Sequence, residues 1–394
     1  MPAPVYWFGA TSFTNDLASE MVYPLLPALV TRTLGGGALA LGVLDGVAES
    51  VASAFKLASG YAAEQPRRRG VLVVTGYAIA ALVRPLLAIA SSAWHVIALR
   101  GADRVGKGIR SAPRDVMIAG VVPAASRGRA FGVHRAADHA GAVAGPLVAA
   151  GLLASGWAVR DVFLAAVVPG VLATVLAVLA VRGARRQGPE ARVSSAQGPR
   201  PPAPASSAPD PRPLAPVVVI ALAAMIRMPE TLLILRAQDL GVSLAAIPLL
   251  WAALHVVRSA ASYPGGMLAD RWGPARTMLA GWLLYAVVAA AFAKAGSSTE
   301  AWLYFLMFGL VAALTESPER KLVAELQPDA RRGRGFGWYH ALIGLAALPG
   351  AATLGVVYQN SGATMAFLVS AGATILLVFL MASLTGLNNP RAFT

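Results

Sequence analysis

Residues 113–132 read PRDVMIAGVVPAASRGRAFG and residues 318–337 read PERKLVAELQPDARRGRGFG, one pattern written twice at a constant offset of 205. Pro113 answers to Pro318, Pro123 to Pro328, Arg127-Gly128-Arg129 to Arg332-Gly333-Arg334, and Phe131-Gly132 to Phe336-Gly337; further on, Gly145 answers to Gly350. Self-similarity over that distance marks a chain built from two homologous halves. The composition identifies the solvent around it. Hydrophobic residues make up 57% of the 394, charged residues 13%, and the mean hydropathy is +0.62, whereas a soluble domain carries roughly 25% charged residues. Too few polar residues remain to cover a surface in water, so the expectation is a membrane protein, and two parallel halves around a midplane site is a plan used by many secondary transporters.

A helix needs about 20 apolar residues to cross a bilayer. Twelve such spans are expected, near 5–33, 41–63, 70–92, 95–120, 129–153, 161–182, 215–240, 243–267, 277–295, 300–326, 335–359 and 363–387. The fold class is therefore an all-α membrane protein of two six-helix bundles, residues 1–181 and 214–394. Between them, residues 182–213 are rich in Pro, Ser and Arg with almost no large apolar side chain, the composition of a disordered linker. Basic residues at 67–69, 127, 129, 185, 186, 271, 276, 331, 332 and 334 all fall in loops on one side, and the other side offers little beyond Arg160 and Lys294. The positive-inside rule then places both termini and the linker in the cytoplasm, and an odd number of spans in either half would scramble that pattern. The net charge of +14 is spread over span ends and not gathered into a patch with aromatics, which argues against nucleic acid. The absence of cysteine excludes disulfides and thiolate metal sites. The N-terminus lacks a basic n-region, so no cleavable signal peptide is expected.

Two motifs fail on inspection. Gly101-x4-Gly106-Lys107 is followed by Gly108 where a phosphate-binding loop needs Ser or Thr, and Gly333-x-Gly335-x-Gly337 follows no strand. With no catalytic triad or metal cluster either, neither an enzyme nor a cofactor is expected.

The loop after span 8, Gly266-Met-Leu-Ala-Asp270-Arg271-Trp-Gly273-Pro-Ala-Arg276, resembles the G-x-L-A-D-R-x-G signature of the major facilitator superfamily, and the resemblance extends over essentially the whole chain. The equivalent loop after span 2 keeps Gly60 and Glu64 but has Gln65 in place of the arginine and lacks the later glycine. Gly132-x8-Gly141-x3-Gly145-Pro146 in span 5 is similar to the pattern of drug:proton antiporters, with Ala149-Ala150 where that pattern has glycines, and Arg104-Val-Gly-Lys107-Gly108 is similar to an R-x-x-Q-G element linked to proton handling. The run Asp16…Glu20-Met-Val-Tyr23-Pro-Leu-Leu-Pro27, together with Arg104 to Asp115, resembles a broad prokaryotic branch of the superfamily. The resemblance implies alternating access, cavity-lining first and fourth helices in each half, and third and sixth helices against lipid.

Ionisable residues at bilayer depth are functional hypotheses by default. They fall at Asp16 and Glu20 in span 1, at Asp45, Glu49 and Lys56 in span 2, and at 100, 103, 104, 107, 110, 114 and 115 in span 4. Others are His134, Arg135, Asp138 and His139 in span 5, Arg227, Glu230, Arg236 and Asp239 in span 7, His255 and Arg258 in span 8, and Glu316, Glu319, Arg320 and Lys321 in span 10. The span 4 positions recur every three or four residues, on one helix face. Most of these charges are expected to be structural pairs. Asp16 and Glu20, acids with no opposite charge in their own span, are the leading candidates for binding and releasing a proton, followed by Asp138 and Glu230. Arg227, three residues before Glu230, is the partner that would neutralise it. Tyr23, Arg104, Lys107, Arg110, Arg227 and Glu316 are substrate-cavity candidates, and Tyr23, Met225, Trp251, Tyr263 and Trp338 are candidate apolar walls.

The reading is a monomeric secondary transporter of a bacterial cytoplasmic membrane, with protons, a small molecule and membrane lipids as its partners, working as a proton-coupled exporter of a small organic or amphiphilic molecule. The alternatives are an organic-anion carrier using the span 4 bases, a lipid or lysolipid flippase, and a non-transporting sensor or scaffold.

Overall fold

Chain that must cross lipid has to satisfy every backbone N–H and C=O internally, which only helices or closed barrels achieve. A computed structural model describes residues 1–122, 127–187, 214–325 and 332–384; helix dominates these residues, and there is no strand among them. We number the long helical runs in chain order. Helix 1 is Ala3–Val22, continued by irregular turns through Thr33; helix 2 is Ala38–Ala62, helix 3 Pro66–Leu86, helix 4 Ala93–Gly120 and helix 5 Arg127–Ala154. Helix 6 comprises Val159–Ala165 and Val167–Gln187, and helix 7 comprises Leu214–Ile226 and Glu230–Asp239. Helix 8 is Ile247–Trp272, helix 9 Pro274–Lys294 and helix 10 Ser298–Glu325. Helices 11 and 12 share Arg332–Leu384 and part at Gly362, whose φ of 84° reverses the chain where a Cβ would be strained.

Eight segments among the described residues are long and apolar enough to cross a membrane by length and composition, with helices 11 and 12 counted as one. Helices 1, 4 and 8 fall outside that count because polar and charged side chains interrupt them. Among the described residues the expected spans fall on these helical runs, and helix 4, one of the three outside the count, carries the buried Arg100, Asp103 and Arg110. Helices 4 and 10 begin and end at the repeat offset of 205, and helices 5 and 11 begin at it too.

The structure moves several expected boundaries: helix 3 begins at Pro66 instead of near 70, and helix 8 ends at Trp272 instead of near 267. Helix 6 runs on to Gln187, six residues into the segment expected to be linker. Val181 and Ala184 are buried there, and Arg185 and Arg186 lie in the last turn, where cations complement the helix dipole. The rest of that segment, and the loops at 123–126 and 326–331 inside the repeat, lie outside the described residues. Helix 7, expected to be continuous, is broken at 227–229.

Helix 1 packs on helices 5 and 6, helix 4 on helices 2 and 3, helix 7 on helix 11, and helix 10 on helices 8 and 9. Gly145 lies so close to the helix 1 backbone at Leu17 and Met21 that a Cβ would collide, and Gly350, its repeat counterpart, meets the helix 7 backbone at Met225. The glycines of the span 5 pattern thus serve close packing: Gly141 faces Phe13 in the same way, Gly145 leads into the buried Pro146, and Gly132 sits in the first turns of the helix.

Candidate substrate and proton site

The break in helix 7 follows from Pro229, which has no N–H to give and starts a new helix instead of continuing the old one. The freed backbone groups find partners on neighbouring helices. Met228 N–H donates to the Tyr285 hydroxyl at 2.7 Å, and Ser370 Oγ donates to the Ile226 carbonyl at 2.6 Å. The new N-terminus is capped by a residue from the other end of the chain. Asp45 of helix 2 accepts from Thr231 N–H at 3.0 Å and from Thr231 Oγ at 2.8 Å, with its second oxygen accepting from the Tyr23 hydroxyl at 3.1 Å. The Tyr23 ring carries the Arg100 guanidinium at 4.6 Å and packs against Trp251, with ring centroids 5.0 Å apart. Helices 1, 2, 4, 7 and 8 therefore meet at one point.

Glu20 sits beside it. Its Oε2 accepts from Trp251 Nε1 at 2.8 Å and lies 3.9 Å from His255 Nε2, both on helix 8. Asp16, one turn earlier, accepts from the Asn15 amide at 2.8 Å and forms no ion pair. Neither acid has an arginine or lysine within ion-pair distance among the described residues. Asp138 is held by His134 at 3.5 Å and Arg135 at 3.9 Å, and His134 reaches Ser12 Oγ on helix 1 at 3.0 Å.

The helix 4 bases are far less available than their spacing suggests. Asp103 draws Arg84 from helix 3 at 2.9 Å, Arg100 at 3.5 Å and Arg104 at 3.8 Å. Arg84 also donates to the Asn15 carbonyl and side chain at 3.0 and 3.1 Å, tying helix 3 to helix 1. Arg110, two turns from Asp103, is likewise turned toward helix 3: it is buried, stacks on Tyr77 at 4.6 Å and donates to the Gly76 carbonyl of helix 3 at 3.2 Å. Its i+3 spacing from Lys107 belongs to the interface with helix 3. Lys107 alone of the group is exposed and without an ion pair among the described residues, within electrostatic reach of Asp16 and Glu49.

Among the later helices the expected pairing is exchanged. Glu230 binds Arg258 of helix 8 at 2.6 Å, and Arg227 lies 3.6 Å from Glu319 of helix 10. The break separates Arg227 from Glu230, so the i+3 proximity of a continuous helix never arises. Glu319, which is buried, also accepts from the Tyr339 hydroxyl at 3.3 Å. Glu316 is exposed.

In the signature loop Asp270 binds Lys321 of helix 10 at 2.6 Å, Arg271 is exposed, Gly273 adopts φ 86° between helices 8 and 9, and Arg276 lies in the first turn of helix 9, with Gly266 in the last two turns of helix 8. After helix 2, Gly60 has open space around it and Glu64 is exposed, while Arg69 Nε donates to the Ala63 carbonyl at 2.6 Å and caps the helix. Of the candidate walls, Tyr23 and Trp251 are buried in the site, Met225 packs on Gly350 and Tyr263 is exposed; the Trp338 side chain lies outside the described residues.

Sequence reasoning left out Thr231 and Trp251 as polar contacts and gave Asp45 no role. Pro229 within an otherwise apolar span was the available signal, since a proline there frees backbone groups that something must satisfy.

A multi-pass helical membrane protein with a broken helix at its centre and ionisable side chains facing that break has the build of a secondary transporter. The comparisons make the class definite. The family model of the Major Facilitator Superfamily matches residues 8–235 and again residues 217–392. The chain belongs to the Major Facilitator Superfamily; it is a transporter and not an enzyme. It is 28% identical to an uncharacterized MFS-type transporter of Methanocaldococcus jannaschii, over 91% of this chain and 89% of that one. It is 30% identical to an uncharacterized protein of Mycobacterium tuberculosis, over 95% and 91%. In structure it is similar to a POT family transporter in complex with 5-aminolevulinic acid (TM-score 0.80, 10% identity, covering 98% and 96%) and to the nucleoside transporter NupG (TM-score 0.74, 13% identity, covering 97% and 99%). At those identities the likeness is one of fold.

Proposed function

We propose that the protein exports a small organic or amphiphilic molecule in exchange for protons, as a monomer in the cytoplasmic membrane of a bacterium, with both termini cytoplasmic. Residues 1–181 and 214–394 are the two bodies that rock against each other. The observation that carries this reading is Glu20: a carboxylate with no arginine or lysine within ion-pair distance among the described residues, on helix 1, whose hydrogen bond to Trp251 and proximity to His255 join the N-terminal helices to helix 8. A proton taken up by such a group changes the bond across the interface, which is the coupling an antiporter needs. Asp16 one turn away extends the relay toward Lys107.

The anion-carrier reading is weaker, because Arg84, Arg100 and Arg104 already share Asp103 and Arg110 is occupied between helices 3 and 4. With cytoplasmic termini, the contacts at Asp45–Thr231 and along helices 2 and 11 close the outer side. Leu57, Tyr61, Tyr263 and Met267 then stand exposed toward the inner side.

Proteoliposomes with an imposed pH gradient test the proposal. Asp16→Asn and Glu20→Gln are expected to abolish gradient-driven transport while ligand-induced thermal stabilisation persists. Because protons compete with the exported ligand, its stabilisation is expected to be stronger at pH 8 than at pH 6. Transport by both variants at the wild-type rate, or stabilisation by anions that is strongest at pH 6, would overturn it in favour of the anion carrier.

A further inference from the structure

Helices 3 and 6 pack side by side and antiparallel: a Cβ on Gly70 would lie 2.6 Å from Val181 Cγ1, and one on Gly170 would lie 3.3 Å from Ala81 Cα. Each turns an apolar stripe outward. On helix 3 it is Val71, Leu82 and Leu86, and on helix 6 it is Val168, Val171, Val175 and Leu179, all exposed and at helical spacing. In a membrane-spanning chain these stripes face lipid. Arg68 continues the first stripe and Arg182 and Arg186 continue the second, at the same end of the pair. Helix 3 and the main segment of helix 6 are 21 residues each. At 1.5 Å per residue that is about 30 Å, the thickness of the hydrocarbon core, so arginines in the terminal turns stand at headgroup level.

Five guanidiniums share this corner without a counter-charge. Arg67, Arg68, Arg182, Arg185 and Arg186 are exposed and form no ion pair among the described residues, and neither does Glu64 of the adjoining loop. Arg69 donates to the Ala63 carbonyl at 2.6 Å. Arg185 lies against the other basic helix end, since a Cβ on Gly70 would be 2.8 Å from its Nη2. A cation therefore sits on the first turn of helix 3, where the dipole is positive by about half a charge, and the C-terminus of helix 6 offsets only about as much. The sequence that follows, 188–213, adds Arg192, Arg200 and Arg212 against Glu190 and Asp210, and so no net negative charge. The equivalent corner of the second half is different. Helix 9 has Arg276 in its first turn, and the last described turns of helix 12, 377–384, carry no charge. Orientation in the membrane needs basic residues on one side but not their concentration on one helix pair. Like charges held together at the end of two lipid-facing stripes call for an anion that brings acyl chains with it.

We propose that the cytoplasmic corner of helices 3 and 6 binds an anionic phospholipid. Its acyl chains lie along the two stripes, and its phosphodiester meets Arg68, Arg182 and Arg186. Guanidinium forks match phosphate oxygens in pairs, and the cytoplasmic leaflet carries the anionic lipids. The site goes beyond the transport reading and depends on neither the substrate nor proton coupling.

The test is the melting temperature of the detergent-purified full chain, titrated with phosphatidylglycerol, phosphatidylcholine or inorganic phosphate. Stabilisation that saturates with phosphatidylglycerol and is absent with the other two is expected. Equal stabilisation by inorganic phosphate, or by phosphatidylcholine, would overturn the lipid assignment. An arginine near an anionic lipid surface is worth about fivefold in affinity, so Arg68→Gln/Arg182→Gln is expected to weaken phosphatidylglycerol binding roughly 25-fold. Arg271→Gln/Arg276→Gln, two arginines of the same side in the second half, should change it less than about twofold. Equal losses in the two variants would reduce the corner to the general attraction of a basic face and overturn the site. Should the first variant not fold, photoreactive phosphatidylglycerol decides in the unaltered protein. Labels are expected at the basic ends of helices 3 and 6, and labels spread equally over the ends of helices 9 and 12 would overturn the proposal.

Discussion

Asp103 shows what a single buried charge does in this molecule. Three guanidiniums converge on it, from Arg84, Arg100 and Arg104, and Arg84 and Arg100 are buried with it. Removing one member of such a group leaves a charge without a counter-charge in low dielectric, which costs about 3–5 kcal/mol. Arg84→Ala is therefore expected to lower the melting temperature of the purified protein sharply. Arg84→Leu/Asp103→Leu should lose less than the two single losses combined, because each removes the other's stranded charge. Strict additivity of the three melting curves would show that the pair is not coupled. The ladder on helix 4 was legible as a spacing of three and four residues. Its counter-charge was not, because Arg84 belongs to helix 3 and nothing in the local pattern announces which neighbour a helix face meets.

On the scale of the element, helix 7 is the part whose local chemistry and role coincide. Pro229 breaks it, Tyr285 and Ser370 satisfy what the break exposes, and Asp45 caps the second segment from another helix. A carboxylate at a helix N-terminus is favoured by the unpaired N–H groups and the dipole, so the cap doubles as a clasp between helix 2 and helix 7. Asp45→Ala is expected to loosen this end of the molecule. In this cysteine-free chain, Leu39→Cys with Gln359→Cys reports on it, since Leu39 N–H donates to Gln359 Oε1 at 3.2 Å. Losing bonds worth about 0.5–1.5 kcal/mol each should slow disulfide cross-linking of that pair several-fold, and an unchanged rate would show that the clasp does not hold the seam. Most spans were readable from hydropathy and their repeat offset from the doubled motif, while several span ends lay up to about six residues from where the hydropathy placed them. A break that lies inside an apolar run leaves hydropathy unchanged, and it was missed for that reason.

Across the whole molecule the two copies of the repeat have kept their backbone and divided their chemistry. At the offset of 205, Arg100, Asp103, Arg104 and Lys107 of helix 4 answer to Phe305, Phe308, Gly309 and Ala312 of helix 10. The first set makes a charge cluster, and in the second Phe305 and Phe308 are buried among Trp251, Tyr285 and Phe292. Movement of one set of helices against the other must pass through the helix 2–helix 11 seam, where Gly46 leaves no room for a side chain. Gly46→Leu is expected to hold that seam apart and to reduce transport in proteoliposomes roughly tenfold or more, with little change in ligand-induced stabilisation; full activity would mean that the seam need not close. By itself the sequence determined the class, the all-helical fold, the duplication and the helices that carry charge, because hydropathy and periodicity are local and the bilayer imposes one solution on each apolar run. Only the tertiary structure decided which charges are free. Whether Arg110 or Lys107, Glu230 or Glu20, stands without a counter-charge depends on residues tens to hundreds of positions away, which the packing of helices brings within hydrogen-bond reach and the spacing along one helix does not contain.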